Sequence, residues 1–300
     1  MPHRPPAAPS WRRAALATLT ALCLGGAPAL GPVPAVAQVL PAPTEAQARV
    51  DALLAALNLP EVIAIMRAEG LEHTRALQQD LLGGRGGAGW TRSAERIYDA
   101  GRMEQAVAER TAAALPDDAA AIAPMLEFFD SPRGRRIIDL ENSARRAMLD
   151  PDVEAAARAR AAAMPDEDPD ALARLRRFIE ANDLVESNVE GGLNANFAFY
   201  TGLRDSGLPA FDLPEREMLA DVWSQEESLR ADTEAWLIAY LGLAYRPLPE
   251  TDLEAYIAFS RSPAGVALNR ALFSAFNALF VQLSRELGLA AGLVLLEQDI

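Results

Sequence analysis

Three polar side chains fall on otherwise apolar helical stripes and are the first candidates for chemistry. Helical spacing aligns Asn188 and Asn196 with the apolar residues of a helix over 184–203, and Glu226 with those of a helix over 214–244. Buried polar groups must be paired, and a carboxylate on such a face can serve as an acid or a base. The structural alternative is a salt bridge to Arg230, four residues further on.

Carboxylates supply the one enzymatic alternative. Hydrolysis of a glycan-like polymer needs two carboxylates about 5–10 Å apart in a cleft. Glu226 with either Glu186 or Glu190 is the pair that the sequence nominates.

Missing residue types exclude other chemistries. The 28 basic residues are all arginine, and the only cysteine, Cys23, lies near the N-terminus. Without lysine there is no phosphate-loop lysine and no Schiff base, and without a cysteine beyond residue 37 there is no thiolate nucleophile and no sulfur-ligated metal. Beyond the first 37 residues His73 is the only histidine, and it lies in a helical stretch with no motif around it. We therefore predict no catalytic residue of these kinds, no metal and no cofactor.

The corner at Ser131-Pro132-Arg133-Gly134 is the most specific local signal. Serine caps the following helix, proline presets its first turn, and glycine allows a close backbone approach. Arg133 and Arg135 gather at this helix N-terminus, where positive charge opposes the helix dipole. Ser131, Arg133, Gly134 and Arg135 thus form a candidate anion site, unless a carboxylate of the protein relieves the arginines instead.

Two other segments match a motif only in composition. The glycine-rich loop 83–89 follows a helix and lacks lysine, so a flexible connector is the better interpretation than a phosphate cradle. Asp166, Asp168 and Asp170 have calcium-loop spacing, but Ala171 stands where that loop requires glycine. A solvated acidic linker is favoured there.

The elements that must position these residues are helices. The chain is rich in alanine, leucine, arginine and glutamate, and it lacks β-branched runs of period two. Capping residues precede many segments, among them Asp118, Asp150 and Ser262. The sequence predicts an all-α, bundle-like fold of about ten helices.

An internal repeat emerges when the two Ser-Pro corners are superposed. Residues 126–134 align with residues 257–265, matching phenylalanine, serine, proline and glycine. A tandem duplication accounts for this, with halves 38–168 and 169–300. Most aromatic residues fall in the second half, which should hold the bulkier core.

Residues 1–37 have the pattern of a cleaved signal peptide. A basic segment ending at Arg12-Arg13 precedes the apolar run 14–24, and Ala35-Val36-Ala37 is a small-x-small cleavage site. The two arginines also hint at twin-arginine export, and Cys23 at a lipoprotein signal, but both contexts fit poorly. We expect a periplasmic or secreted protein that begins at Gln38.

Charge and hydropathy limit the partners. The formal net charge of −14 argues against nucleic acid and against anionic membranes. The longest apolar run after the signal, 271–284, is too short to cross a membrane, so no transmembrane segment is predicted.

At its two corners the chain resembles the bacterial domain-of-unknown-function family 2059. In that family a phenylalanine-containing helix ends in Ser-Pro-x-Gly and a further helix follows, as in 126–134 and 257–265. Segments 182–189 and 221–226 are similar to long, duplicated members from alphaproteobacteria. The resemblance implies an exported, all-helical protein and brings no activity with it.

The leading functional hypothesis is a non-catalytic protein of the cell envelope that binds an envelope protein or a small ligand. A carboxylate-dependent hydrolase acting on an envelope polymer is the alternative. A purely structural assembly module is the third possibility.

Overall fold

The computed structural model describes residues 45–116 and 118–297, which are helical and contain no strand. The predicted signal peptide and its cleavage site lie outside these residues. The α-helices are α1 Glu45–Ala56, α2 Leu59–Asp80, α3 Gly87–Ile97, α4 Ala100–Ala114, α5 Ala119–Phe129, α6 Pro132–Ala147, α7 Pro151–Glu167, α8 Pro169–Ala181, α9 Leu184–Asp205, α10 Glu215–Trp223, α11 Glu226–Tyr245, α12 Glu250–Ser260 and α13 Pro263–Leu296. A short 3₁₀ turn, Pro209–Phe211, precedes α10.

The described residues thus form more helices than the sequence predicts, and two of their breaks carry no strong signal. The first is Asn58 between α1 and α2, which adopts left-handed backbone with φ of 52°. Asp183 has the same φ and directly precedes α9, whose start at Leu184 the sequence does predict. Asparagine and aspartate tolerate this conformation better than other non-glycine residues. The second break separates α10 from α11 at Ser224 and Gln225, inside the single helix expected over 214–244.

Both Ser-Pro corners form as the spacing predicts. The hydroxyl oxygen of Ser131 accepts a 3.0 Å hydrogen bond from the backbone N–H of Gly134, and Ser262 accepts one of 3.1 Å from Gly265. A side chain at Gly134 would overlap the backbone of Phe128 and Phe129, the last residues of the preceding helix. Glycine is therefore needed for the tight turn between α5 and α6.

Two hydrophobic cores hold the helices together, and each combines helices from both predicted halves. The first core unites α1 to α5 with α9, α10 and α13. The second unites α6, α7 and α8 with α11 and α12. Neither core stops at the predicted boundary between residues 168 and 169.

Helix α13 is the longest element and packs along α9. Side chains at Gly202 or Gly288 would overlap backbone atoms of the partner helix, so glycine allows the close approach. By length and composition alone, α13 is also the one helix of the described part that could cross a membrane. Its buried residues recur at helical spacing, from Leu268 to Ala291, and 33% of its most apolar window is buried.

An aromatic cluster joins the corner helices α5 and α12. The rings of Phe128 and Phe259 stack with centroids 4.3 Å apart and planes 15° apart. Phe129 meets Phe259 edge-on, and Tyr256 stacks on Phe128. Phe128 and Phe259 occupy matching positions in the two superposed corners.

Candidate functional site

The structure separates the three polar residues of the helical stripes. Asn188 is buried and donates a 2.6 Å hydrogen bond to the carbonyl oxygen of Leu184, one turn earlier in α9. Asn196 is half-buried and donates to the side chain of Gln225 at 3.2 Å. Both asparagines line one cleft, whereas Glu226 is not among the residues that line it.

Glu226 lies at the start of α11 because the helix expected over 214–244 is broken there. Its carboxylate pairs with Arg230 at 2.8 Å and is 36% exposed, so the interior position predicted for it is wrong. Glu186 also hydrogen-bonds to Arg230, and this bond lowers the pKa of Glu186. The carboxylate pair nominated for hydrolysis therefore clamps one arginine at the surface.

At the first Ser-Pro corner the arginines have carboxylate partners. Arg133 pairs with Asp252 at 2.8 Å, and Arg135 pairs with Asp130 at 3.0 Å. These carboxylates supply the negative charge that a bound anion was proposed to bring to Ser131, Arg133, Gly134 and Arg135.

The two asparagines open instead onto a cleft of about 380 Å³, the outer cleft, between α2, α6, α9, α11 and α13. Its walls are largely apolar, including Met66, Tyr98, Phe199, Trp236 and Phe280. A few polar groups converge among them. This composition is typical of small-molecule sites.

The floor of the outer cleft carries a buried ion pair. Arg145 of α6 donates two hydrogen bonds to the carboxylate of Glu69 of α2, at 2.9 and 2.8 Å. The arginine side chain is only 4% exposed. Burial disfavours the charged guanidinium, but Glu69 outweighs that effect, so the pKa of Arg145 is raised.

Most of the charge at the outer cleft is compensated, and His73 is neutral. Besides Glu69, the cleft is lined by Glu72, which pairs with Arg75, and by Glu154, which pairs with Arg158. Burial lowers the pKa of His73, so its imidazole carries no charge at neutral pH.

Behind the ion pair lies a second polar group, Glu141 of α6, which is 1% exposed. Its Oε1 atom accepts a hydrogen bond from the hydroxyl of Tyr245, and its backbone carbonyl accepts one from Tyr240 at 3.2 Å. Burial raises the pKa of Glu141 well above its usual value, which favours the protonated carboxyl group.

Sequence reasoning missed Glu69, Arg145 and Glu141. Arg145 and Glu69 are 76 positions apart, and nothing local distinguishes them from the many exposed charges of the chain. The one available signal was the helical stripe of α6, on which Ile137, Ile138, Glu141 and Arg145 share a buried face.

Within residues 45–116 and 118–297 no group of three or more histidine, cysteine, aspartate or glutamate side chains is placed to hold a metal ion. No protein-family model, curated protein or solved structure matches the chain. The outer cleft and the buried polar groups beside it are therefore the features of the described residues that bear on function.

Proposed function

We propose that this chain is a non-catalytic protein of the cell envelope that binds a small amphipathic molecule in the outer cleft. The observation that carries the proposal is the cleft itself: two asparagine side chains, a neutral histidine and a salt bridge converge among aromatic and methionine side chains. An apolar wall supplies affinity through burial, and a few fixed polar groups supply orientation.

The charges favour a ligand with a neutral head. Each carboxylate that lines the outer cleft is paired with an arginine, at Glu69, Glu72 and Glu154. A charged head would lose its hydration without gaining an opposite charge. A neutral hydroxyl or amide group loses less hydration free energy than a charged group does, and it can hydrogen-bond to Asn188, Asn196 or His73.

The test compares three probes with one tail and different heads: 1-octanol, octanoate and octylammonium. Isothermal titration calorimetry of the purified chain at pH 7.5 should show octanol binding at least tenfold more tightly than either ion. Equal affinities, or tighter binding of an ion, would contradict the neutral-head proposal. No binding of any probe would refute the cleft as a ligand site.

A matched pair of variants locates the binding. Ala195 lines the outer cleft, so Ala195→Trp should fill it and abolish octanol binding. Ala113 is exposed on α4, so Ala113→Trp adds the same side chain elsewhere and should leave the affinity unchanged. Binding that survives Ala195→Trp would place the ligand outside the cleft.

Export and duplication belong to the same proposal. Helices α2 and α9 each have 22 residues and each follows a left-handed, non-glycine residue, which supports a tandem duplication. The stacking of Phe128 on Phe259 supports an approximate twofold axis, because only residues near such an axis contact their own equivalents. The same proposal includes kinship with family 2059 and a mature N-terminus at Gln38. Mass spectrometry of the chain from a periplasmic fraction tests the N-terminus.

A further inference from the structure

A second space of about 90 Å³, which we term the inner cavity because mostly buried residues line it, lies next to the outer cleft. Met66, Arg145 and Phe280 line both spaces, so these three side chains form the partition between them. The remaining wall of the inner cavity is mainly apolar and aromatic, with Phe129, Phe178, Leu184, Tyr256, Phe259, Leu268, Leu272 and Phe276 among its residues.

Two residues that line this space each carry a buried polar atom without a hydrogen-bond partner among the described residues. One atom is Oε2 of Glu141, whose other oxygen accepts from Tyr245, and the second is the hydroxyl oxygen of Ser260. Both residues are nearly inaccessible, at 1% and 2% exposure. A buried polar atom without a partner is destabilising, so each of these atoms favours a polar partner in the cavity.

The chemistry of the two groups defines that partner. Tyr245 donates to Oε1, so a protonated Glu141 presents its remaining O–H as a donor, and Ser260 can donate or accept. Together they suit one oxygen atom, as in a hydroxyl or carbonyl group, attached to an apolar ring or short chain. An anionic group would lose its hydration in this space without gaining a positive partner from either residue, and the guanidinium of Arg145, which also lines the cavity, is already paired with Glu69.

We propose that the inner cavity binds the buried end of the ligand, and that this end is a small apolar group carrying one neutral oxygen hydrogen-bonded to Glu141 and Ser260. The inference rests on the proposed function, because the two spaces share the Arg145 partition and one ligand would occupy both. The ligand is then polar at both ends, with a neutral head in the outer cleft and a second oxygen at its buried end.

Phenol and toluene make a matched pair of probes for the inner cavity, since they share a ring and differ in the hydroxyl group. Titration followed by NMR should show phenol binding more tightly than toluene, although toluene is the more hydrophobic of the two. Ser260→Ala should weaken phenol binding by about threefold to tenfold, because it removes one hydrogen bond to the phenol hydroxyl. The same variant should change toluene binding by less than twofold, because toluene has no hydroxyl.

Glu141 gives a second, independent readout. Glu141→Gln keeps a hydrogen-bond donor and should retain phenol binding within about threefold, whereas Glu141→Leu should lose it about tenfold without weakening toluene binding. If Glu141→Leu does not fold, phenol and toluene binding to Ser260→Ala and Glu141→Gln still test the inference.

Three results would overturn the inference. The first is that the variants change phenol and toluene binding equally. The second is that phenol does not bind. The third is that ordered water forms the hydrogen bonds to both atoms and phenol does not displace this water. Octanol binding that persists alongside any of these results leaves the outer cleft intact and refutes only the inner site. Phenol binding without octanol binding refutes the proposed function instead.

Discussion

Glu141 shows how position alone gives an ordinary glutamate an unusual proton affinity. Other glutamates of the chain, such as Glu186, lie at the surface beside arginines and ionise readily. Glu141 lies between two helices with tyrosine hydroxyls around it, where the charged form would lose its hydration. The fold therefore favours the protonated form of this carboxyl group.

This proton makes the stability of the protein depend on pH. In the unfolded chain Glu141 ionises near the usual value of 4.5, whereas the folded chain retains the proton to a higher pH. Between these values the folded state binds more protons, so the free energy of unfolding falls as pH rises. Glu141→Gln should remove this contribution, and the stability difference between variant and parent should grow in favour of the variant from pH 5 to pH 8.

Thermal unfolding of both proteins across this range is the measurement. His73 contributes a slope of opposite sign, because its lowered pKa makes the folded state bind fewer protons below about pH 6.5. Since both proteins contain His73, its contribution cancels in the difference. Parallel pH profiles would show that Glu141 is ionised in the folded state.

The Glu69–Arg145 pair predicts a large mutational effect. Glu69→Gln leaves the buried guanidinium without this carboxylate, and removing one member of a buried ion pair costs about 3–5 kcal/mol. Glu186→Gln removes a carboxylate that is 59% exposed and should cost about 0–1 kcal/mol. Urea unfolding compares the two, and equal losses would contradict the structural role of the buried pair.

At the scale of elements, the contact between α9 and α13 depends on glycine. A side chain at Gly288 would overlap the carbonyl oxygen of Phe199, and one at Gly202 would overlap that of Arg285. Backbone atoms cannot move aside as a flexible side chain can. The short distance between these two helices therefore requires a glycine in each of them, Gly202 in α9 and Gly288 in α13.

Gly288→Ala should accordingly destabilise the protein by about 1–3 kcal/mol, the usual cost of overpacking. Gly89→Ala is the control, because a methyl group there meets no atom within 4 Å. That change should be neutral or stabilise the protein by up to about 1 kcal/mol, since alanine is the better helix former. Equal effects of the two changes in denaturant titrations would argue against close packing at Gly288.

Helix types and caps were predictable from the sequence, whereas several boundaries were not. Asp118, Ser131, Asp150 and Ser262 cap helices as expected, because the cap is a contact over two or three residues. The left-handed residue Asn58 carries no comparable local signal. The break after Trp223 has a further consequence: Trp223, one of the apolar residues with which Glu226 would align in a single helix over 214–244, is 62% exposed.

At the scale of the whole molecule, the corner helices α5 and α12 join the two predicted halves. Phe128 and Phe259, which occupy equivalent positions, stack directly on each other. Helix α4 of the first half packs on α13, and α6 packs on α11, so each half reaches across to the other. The halves should therefore unfold as one cooperative unit.

A double-mutant cycle on Phe128→Ala and Phe259→Ala tests this junction. Their stacking should appear as a coupling energy of about 0.5–1.5 kcal/mol, the amount by which the loss in the double variant falls short of the sum of the two single losses. A single unfolding transition in every variant is also expected. Purely additive losses, or two separate transitions, would show that the halves are energetically independent.

The sequence by itself determined that the fold is all-helical, where serine and aspartate cap its helices, and which residue types any chemistry must use. These properties depend on neighbours a few positions apart. The tertiary structure decided that Asn188 and Asn196 line a cleft without Glu226, and that Glu69 meets Arg145. It also decided that Glu141 is buried. Burial and charge pairing depend on which distant segments pack together, and that packing is a property of the whole chain.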